Sequence, residues 1–495
     1  MIRVAPPVPP LSPAEDYGLG VLVDLSRLIV LDDASPADGG RSQAVILYTE
    51  APAPAPADGG PLANAVSDIA RVIAVADGAV TVPRPLLRAV ADIAGAGIEQ
   101  ASLARDRYGR TPPSANPLVA AGVERDPLVS VAGARLREAV VQAAGSRSVR
   151  VVAPWPDGHR WCAALSHDVD VAAAWPAFTA LRLAELVSKG QWRLAGEVLA
   201  AAAPAVTGNP VWAGVQAVLD AEQRYGVTST WFMLCGTPTV ATFRAGDLTY
   251  RPESPPVRRI IAGIEAGGHE LGLHGSFATG DTAGAFVEQR LRLRTLSGTQ
   301  ASGVRQHYLR MRPGVTQRWM ASAGFTYDAT YGFPDRNAFR LGVVDVVPAW
   351  DAAAQRSLPI DEVPLMWMDR AQSKYQGIED PDQWIADAMT VADVSRRAEG
   401  LWVGLWHPNL TAALGFPGAP AAYERLVAAL AVERPYMAPL HRITEWRSLR
   451  RAVRAMAVGP DGGVTLTGPS ARAFEVIAED ADGRPRERLA ATGPT

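Results

Sequence analysis

Trp161-Cys162-Ala163-Ala164-Leu165-Ser166-His167-Asp168-Val169-Asp170 is an apolar run that leads directly into a histidine and two carboxylates. A short apolar stretch of this kind reads as a buried strand, and the polar residues fall where the chain leaves its sheet. Asp168 and Asp170 are two residues apart, so in extended chain their side chains share one side. Like charges that close repel unless a proton or cation lies between them. The simpler alternative is that Asp170 caps a helix starting at Val171.

Outward from this segment the same texture repeats. Strand candidates are Cys162 to Leu165, Ser229 to Cys235, Glu270 to Leu273, Gly303 to Val304, Glu362 to Met368 and Leu401 to Trp406. Between or after them lie amphipathic helices at Val211 to Tyr225, Pro256 to Ala266, Thr282 to Leu296, Gln383 to Arg397 and Ala421 to Val432. Alternating short strands and helices imply βα units, hence an α/β fold with a parallel sheet or barrel. Polar residues just after such strands gather on one face, the C-terminal end of the sheet.

Upstream, Tyr17 to Tyr48 contains apolar stretches such as Val21-Leu22-Val23 and Ala44 to Leu47, which read as short strands. Ala51 to Gly60, with three prolines, reads as a loop, and Pro61 to Val75, Pro85 to Ala96 and Val131 to Ala144 read as helices. Between the last two lies an irregular stretch that opens on Asp106-Arg107-Tyr108-Gly109-Arg110. No histidine precedes His159, so metal and acid–base chemistry is expected beyond it. Downstream, Val464 to Thr467 and Phe474 to Ala478 suggest a small β hairpin. The expected organisation is an N-terminal α/β domain over residues 1–155, a barrel over 156–455 and a short C-terminal β addition over 456–495. At 495 residues the chain is long enough for more than one core.

The composition is that of a soluble globular protein, 48% hydrophobic and 20% charged, with a net charge of −3. It offers no basic face for nucleic acid. Arg447, Arg450, Arg451 and Arg454 read as the solvated face of a helix. The two cysteines, Cys162 and Cys235, lie in apolar runs and are expected to be buried free thiols in a reducing compartment. The proline-broken N-terminus does not resemble a signal peptide, and no stretch of about 20 apolar residues offers a membrane span. A cytoplasmic location is the expectation.

Four of the seven histidines, His167, His274, His307 and His407, stand at or just beyond strand ends. They belong to five clusters: Leu165 to Asp170; Gly267 to Ser276, in which His269 precedes the strand and reads as structural; Val304-Arg305-Gln306-His307-Tyr308-Leu309-Arg310; Asp361 to Asp369; and Trp402 to Asn409. A lone histidine or aspartate at a strand end is more often structural, but five such ends in register are harder to dismiss. Aspartate and histidine are the oxygen and nitrogen ligands of a hydrolytic Zn²⁺ or similar divalent ion. Trp231, Tyr308, Trp367 and Trp406 lie near the same ends, either as core packing or as platforms for a sugar face.

In order and spacing these clusters resemble the motifs of the polysaccharide deacetylase superfamily (NodB homology, carbohydrate esterase family 4), over roughly His167 to Trp446. More narrowly they look like a bacterial subgroup with an extra N-terminal region. The resemblance implies a distorted (β/α) barrel of seven or eight strands. It also implies roles: Asp168 as general base, Asp170 and His274 as metal ligands, Arg305 orienting the base, and Asp369 tuning the general acid His407. The family usually places a further metal histidine four residues after the first, where this chain has Ala278. His307 is the expected substitute, and His167, which alternation points away from Asp168, is the less favoured one. The activity implied is metal-dependent removal of an N-acyl group from a sugar, the cofactor being Zn²⁺ with Co²⁺ or Fe²⁺ as alternatives. The partner expected is a small, lipid-linked or nucleotide-linked carbohydrate. A metal-free carbohydrate-binding protein and a C–N hydrolase of non-sugar amides or imides are the alternatives.

Overall fold

In the computed structural model, residues 2–4, 9–29, 44–49, 60–145, 149–172, 175–205, 209–458, 464–467, 474–479 and 485–490 are described. Most of the loop expected over residues 51–60 lies outside them.

A ten-stranded sheet dominates. Its path runs Val347–Asp351, Arg356–Glu362, Tyr327–Asp328, Gly303–Gln306, Glu270–Gly275, Thr230–Leu234, Cys162–Val169, Leu401–Leu405 and Trp367–Met368, with Tyr436–Met437 paired off this path to Cys162–Val169. From Arg356–Glu362 to Trp367–Met368 every neighbouring pair is parallel, giving eight parallel strands in succession. The two ends of the path are not hydrogen-bonded to each other, so the barrel is open and distorted. Central strands such as Cys162–Val169 and Thr230–Leu234 are buried along their whole length, because helices cover one face and the barrel interior the other. Pro210–Tyr225, Pro255–Ala266, Gly284–Ser297, Pro381–Arg397 and Ala419–Val432 supply that cover. Trp231, Trp367, Trp384, Trp402 and Trp406 are fully buried in the core they enclose, which settles three of the four flagged aromatics as packing.

Several local expectations are corrected. Glu362 to Met368 is not one strand: Arg356–Glu362 ends, and a separate Trp367–Met368 begins, around Pro364, which has no N–H for a ladder. Val21-Leu22-Val23 lies in the helix Pro13–Ser26, started by a Ser12/Glu15 capping box and Pro13. The helix expected over Pro61 to Val75 stops at Ile69, and Ala74–Ala76 is a strand. In the tail, Val464–Thr467 and Glu475–Glu479 do not pair with each other. The first pairs with Arg454–Val458, and the second with Val149–Val152 and Pro485–Ala490.

The described residues up to Gly145 form a four-stranded sheet in the order Ile2–Val4, Ala44–Thr49, Ala79–Pro83, Ala74–Ala76, with helices against it. Their core, including Leu22, Leu86, Val90 and Leu136, is continuous with Leu341, Val343 and Trp350 of the barrel. A buried Glu99–Arg340 ion pair at 2.6 Å crosses the same boundary. So do arginines read above as solvated. Arg447 is fully buried, its Nε 2.6 Å from Asp345 and its Nη2 3.1 Å from Asp24, and Arg450 is buried against Asp24 as well. Among the described residues no single helix is long and apolar enough to cross a membrane. Cys162 and Cys235 are buried free thiols, the latter pushed up to about 12 by burial and so unreactive.

Candidate active site

Parallel strands end on one side, and that side is where the charged residues meet. Cys162–Val169 delivers Asp168 and then Asp170, Glu270–Gly275 delivers His274, and Gly303–Gln306 delivers Arg305 and then His307. Trp367–Met368 is followed by Asp369, and Leu401–Leu405 by His407. Asp168, Asp170, His274, His307 and His407 all line one cavity of about 410 Å³.

Asp170, His274 and His307 offer donor atoms that all lie within 4.8 Å of one another. Asp170 Oδ1 is 3.3 Å from His274 Nε2 and 3.6 Å from His307 Nε2. Each imidazole is oriented by its other nitrogen. His274 Nδ1 is 2.9 Å from the carbonyl oxygen of Arg305, which can only accept, so Nδ1 carries the hydrogen and Nε2 is left as a ligand. His307 Nδ1 donates to Asp247 Oδ1 at 3.2 Å, and Asp247 is anchored by the backbone N–H of Phe277. Two acceptors, His274 Nε2 and Asp170 Oδ1, thus face each other. Asp170 Oδ1 is buried and has no hydrogen-bond partner. Such a pocket of lone pairs fits a divalent cation with two nitrogen ligands and one oxygen ligand. Ala278 offers no donor atom, and His307 completes the set with Asp170 and His274.

The electrostatics agree. Burial raises the Asp170 carboxyl, but the positive charge of His307 and of His407 outweighs it and holds the group well below the usual carboxylate range. Burial lowers the His307 imidazole, yet Asp170 and Asp247 on either side raise it to about 9. The backbone after the strand is held by Tyr250, whose hydroxyl donates to Val169 O at 2.7 Å, and by Thr249, whose hydroxyl donates to Asp170 O.

Asp168 lies beside this set, Oδ2 at 3.6 Å from His274 Nε2. Its Oδ1 accepts from Arg305 Nη1 at 3.0 Å. Arg305 cannot move to follow it: Nη2 donates to Ser166 Oγ at 3.0 Å, Nε to Ala329 O at 3.0 Å, and the guanidinium stacks 4.5 Å from the Phe232 ring. On the opposite side of Asp170, His407 Nε2 is 3.6 Å from Oδ2. Asp369 takes both the His407 backbone N–H and its Nδ1–H, each at 2.6 Å. Burial lowers the His407 imidazole, but Asp369 and Asp170 raise it overall, which favours the protonated ring. His167 is directed the other way, into a buried network with Glu222 at 3.0 Å and the Trp406 carbonyl at 2.9 Å. His269 belongs to that network too, accepting from Ser229 N.

Asp247 was not singled out from sequence. Nor were Arg370, Lys374 and Tyr375, which line the cavity just after Asp369, or Arg110, which reaches it from the N-terminal region. The adjacency of Arg370 to Asp369 was a usable signal; Asp247, in a loop after the short helix Val240–Arg244, carried none.

No family model matches this chain, and no curated protein matches it. Solved structures do. A putative polysaccharide deacetylase from Mycobacterium smegmatis shares 21% identity over 62% of this chain and 96% of its own, with a TM-score of 0.42. Puue allantoinase shares 17% over 60% and 93%, at 0.40, and a probable polysaccharide deacetylase from Pseudomonas aeruginosa PAO1 18% over 59% and 92%, at 0.39. The chain is similar to polysaccharide deacetylases. At these identities and TM-scores the likeness says nothing about activity, which has to be argued from the cavity itself.

Proposed function

We propose that this protein is a metal-dependent hydrolase that removes an N-acyl group from a sugar or sugar conjugate. The observation that carries the proposal is the convergence of Asp170, His274 and His307 between a restrained carboxylate, Asp168, and a carboxylate-backed imidazole, His407. A divalent ion held by Asp170, His274 and His307, Zn²⁺ or alternatively Co²⁺ or Fe²⁺, supplies Lewis acidity that makes the amide carbonyl more electrophilic and water more acidic.

The rest of the reaction belongs to the chain's own groups. Water adds to the carbonyl carbon while Asp168, fixed by Arg305, accepts its proton. The C–N bond then breaks as His407 passes its Nε2 proton to the departing nitrogen, leaving a carboxylate and an amine. Asp369 keeps that ring protonated and correctly turned, as two bonds to its Nδ1–H and backbone N–H require. The substrate favoured is a small, nucleotide-linked or lipid-linked amino sugar.

Acetate or formate release from a panel of N-acyl amino sugars tests the proposal. Release is expected to stop with chelator, to return with added metal, and to be lost in His274→Ala. Release unaffected by chelator, or undiminished in His274→Ala, overturns it.

A further inference from the structure

Most charges around the cavity are matched. Asp168 is paired with Arg305, Asp369 with His407, and Arg110 with Asp106 at 2.7 Å. Arg370 and Lys374 are not: among the described residues neither forms an ion pair. Both line the cavity, and both lie close enough to Asp170 to feel its charge.

The backbone works to place them. Ala371–Gln376 is a π-helical turn, a rare widened turn that tends to mark functional positions, and it brings Lys374 and Tyr375 together onto the cavity wall. Lys374 Nζ sits 4.8 Å from the ring centroid of Tyr308, 5.7 Å from Tyr375 and 5.9 Å from Tyr108. Aromatic faces hold a cation without neutralising it. Tyr308 and Leu309 adopt φ of 58° and 53°, a conformation bulky residues avoid. The strain is held from the N-terminal region. Arg110 Nη1 donates to Tyr308 O at 3.0 Å, Arg310 Nε donates to Tyr108 O at 2.8 Å, and the Tyr108 and Tyr308 rings stack at 4.9 Å. Arg110 Nη1 also reaches Tyr375 Oη at 3.5 Å. The irregular stretch Asp106 to Arg110 is thus part of the cavity wall.

We propose that Arg370, Lys374 and Tyr375, with Arg110 facing them, form a subsite for an acidic group of the substrate, a phosphate or a carboxylate, beside the candidate metal centre. The subsite rests on the hydrolase reading only in that the acidic group belongs to the molecule being hydrolysed. Surplus positive charge in a partly enclosed space is costly by itself and is relieved when an anion enters. Partial desolvation on the cavity wall and the neighbouring Arg370 push the Lys374 ammonium down to about 8, against the weaker pull of Asp170. A neutral sugar would leave both cations uncompensated.

The test uses the full-length, chelator-treated protein, so that bound metal cannot attract the anion, with inorganic phosphate and acetate as calorimetric probes. Phosphate or acetate is expected to bind once per chain, more weakly as salt rises. Affinity should fall about tenfold or more in Lys374→Met and in Arg370→Met, the loss of one charge-assisted bond, and stay unchanged in His274→Ala. Stronger phosphate binding assigns a phosphate source, and stronger acetate binding a carboxylate. Lys374 lines the cavity and is exposed, so its variant remains informative if Arg370→Met fails to fold. Absence of binding, or equal affinity in wild type and Lys374→Met, overturns the subsite. Lys374-dependent binding with no N-acyl hydrolysis anywhere in the panel leaves the subsite standing and removes the hydrolase reading.

Discussion

Metal uptake by this protein is expected to expel one proton, and His307 is its source. In the metal-free site burial works against the charged ring, but Asp170 and Asp247 raise its pKa to about 9. An imidazole of that pKa is ~97% protonated at about pH 7.5, whereas ligation requires its neutral form. Asp170 is already ionised and adds nothing to the count. Release is therefore ~1 proton at about pH 7.5, ~0.5 near pH 9 and close to none above about pH 10.5. Displacing that proton costs about 2 kcal/mol at about pH 7.5, from ~1.5 pH units at ~1.4 kcal/mol each. Apparent affinity should consequently climb about thirtyfold with pH and level off above pH 9. Calorimetric titration with Zn²⁺ in two buffers of different protonation enthalpy measures the proton count directly. His307→Ala is expected to abolish most of the release and to weaken binding. In Asp247→Asn the ring loses one raising partner, so release should fade at lower pH. The sign for stability follows from the same raised pKa: the contribution to the metal-free fold is complete below the ordinary value of 6.5 and is lost as pH rises through about 9. No proton release at pH 7.5, or the same release in His307→Ala, refutes the reasoning.

Asp168→Asn should lower hydrolysis by about 10²- to 10⁴-fold with metal content unchanged, which separates the base from the ligands by rate and metal analysis. Asp369→Asn removes the charge holding His407, worth ~1.5–3 kcal/mol. The ring then loses its proton at lower pH, and the alkaline limb of the rate profile should move down by about one to two pH units; an unmoved limb counts against His407 as the acid. Glu362 and Asp328 are buried together, burial and their mutual repulsion raising Glu362 well above the carboxylate range and burial raising Asp328 to about 7. The stabilising protonation of Asp328 is lost as pH rises through about 7, and the raised Glu362 loses stability with rising pH in the same direction, so Glu362→Gln should raise Tm relative to wild type more at pH 8 than at pH 5. Arg447→Met strands Asp345 in a buried setting and should cost about 3–5 kcal/mol in chemical denaturation.

The barrel was legible because its strands are short and mostly apolar, with charge gathered where they end. His274 and Arg305 stand in register on neighbouring strands, so sequence distance along each strand translated directly into position at the rim. Asp168 and His167, adjacent in sequence, go to opposite faces for the same reason. What could not be read depends on residues meeting from separate loops. Asp247 finds His307, and Arg110 finds Tyr308 across the boundary with the N-terminal region. Arg447 looked like one member of a solvent-facing row, and only the position of Asp24, 423 residues away, turns it inward. The strand boundary at Pro364 was available from the sequence, since a proline cannot donate to a ladder, and apolar continuity outweighed it in the reading.

The pairing of Val149–Val152 with Glu475–Glu479 has a consequence for how the chain is made. During synthesis the first of these strands emerges long before its partner, as does Asp24, whose arginine Arg450 lies 426 residues later. Until Glu475–Glu479 has emerged, the N-terminal region presents an open strand edge, a usual template for misassembly. Ending translation near residue 453 should therefore do more than trim a tail: it should leave a nascent protein that chaperones hold rather than release.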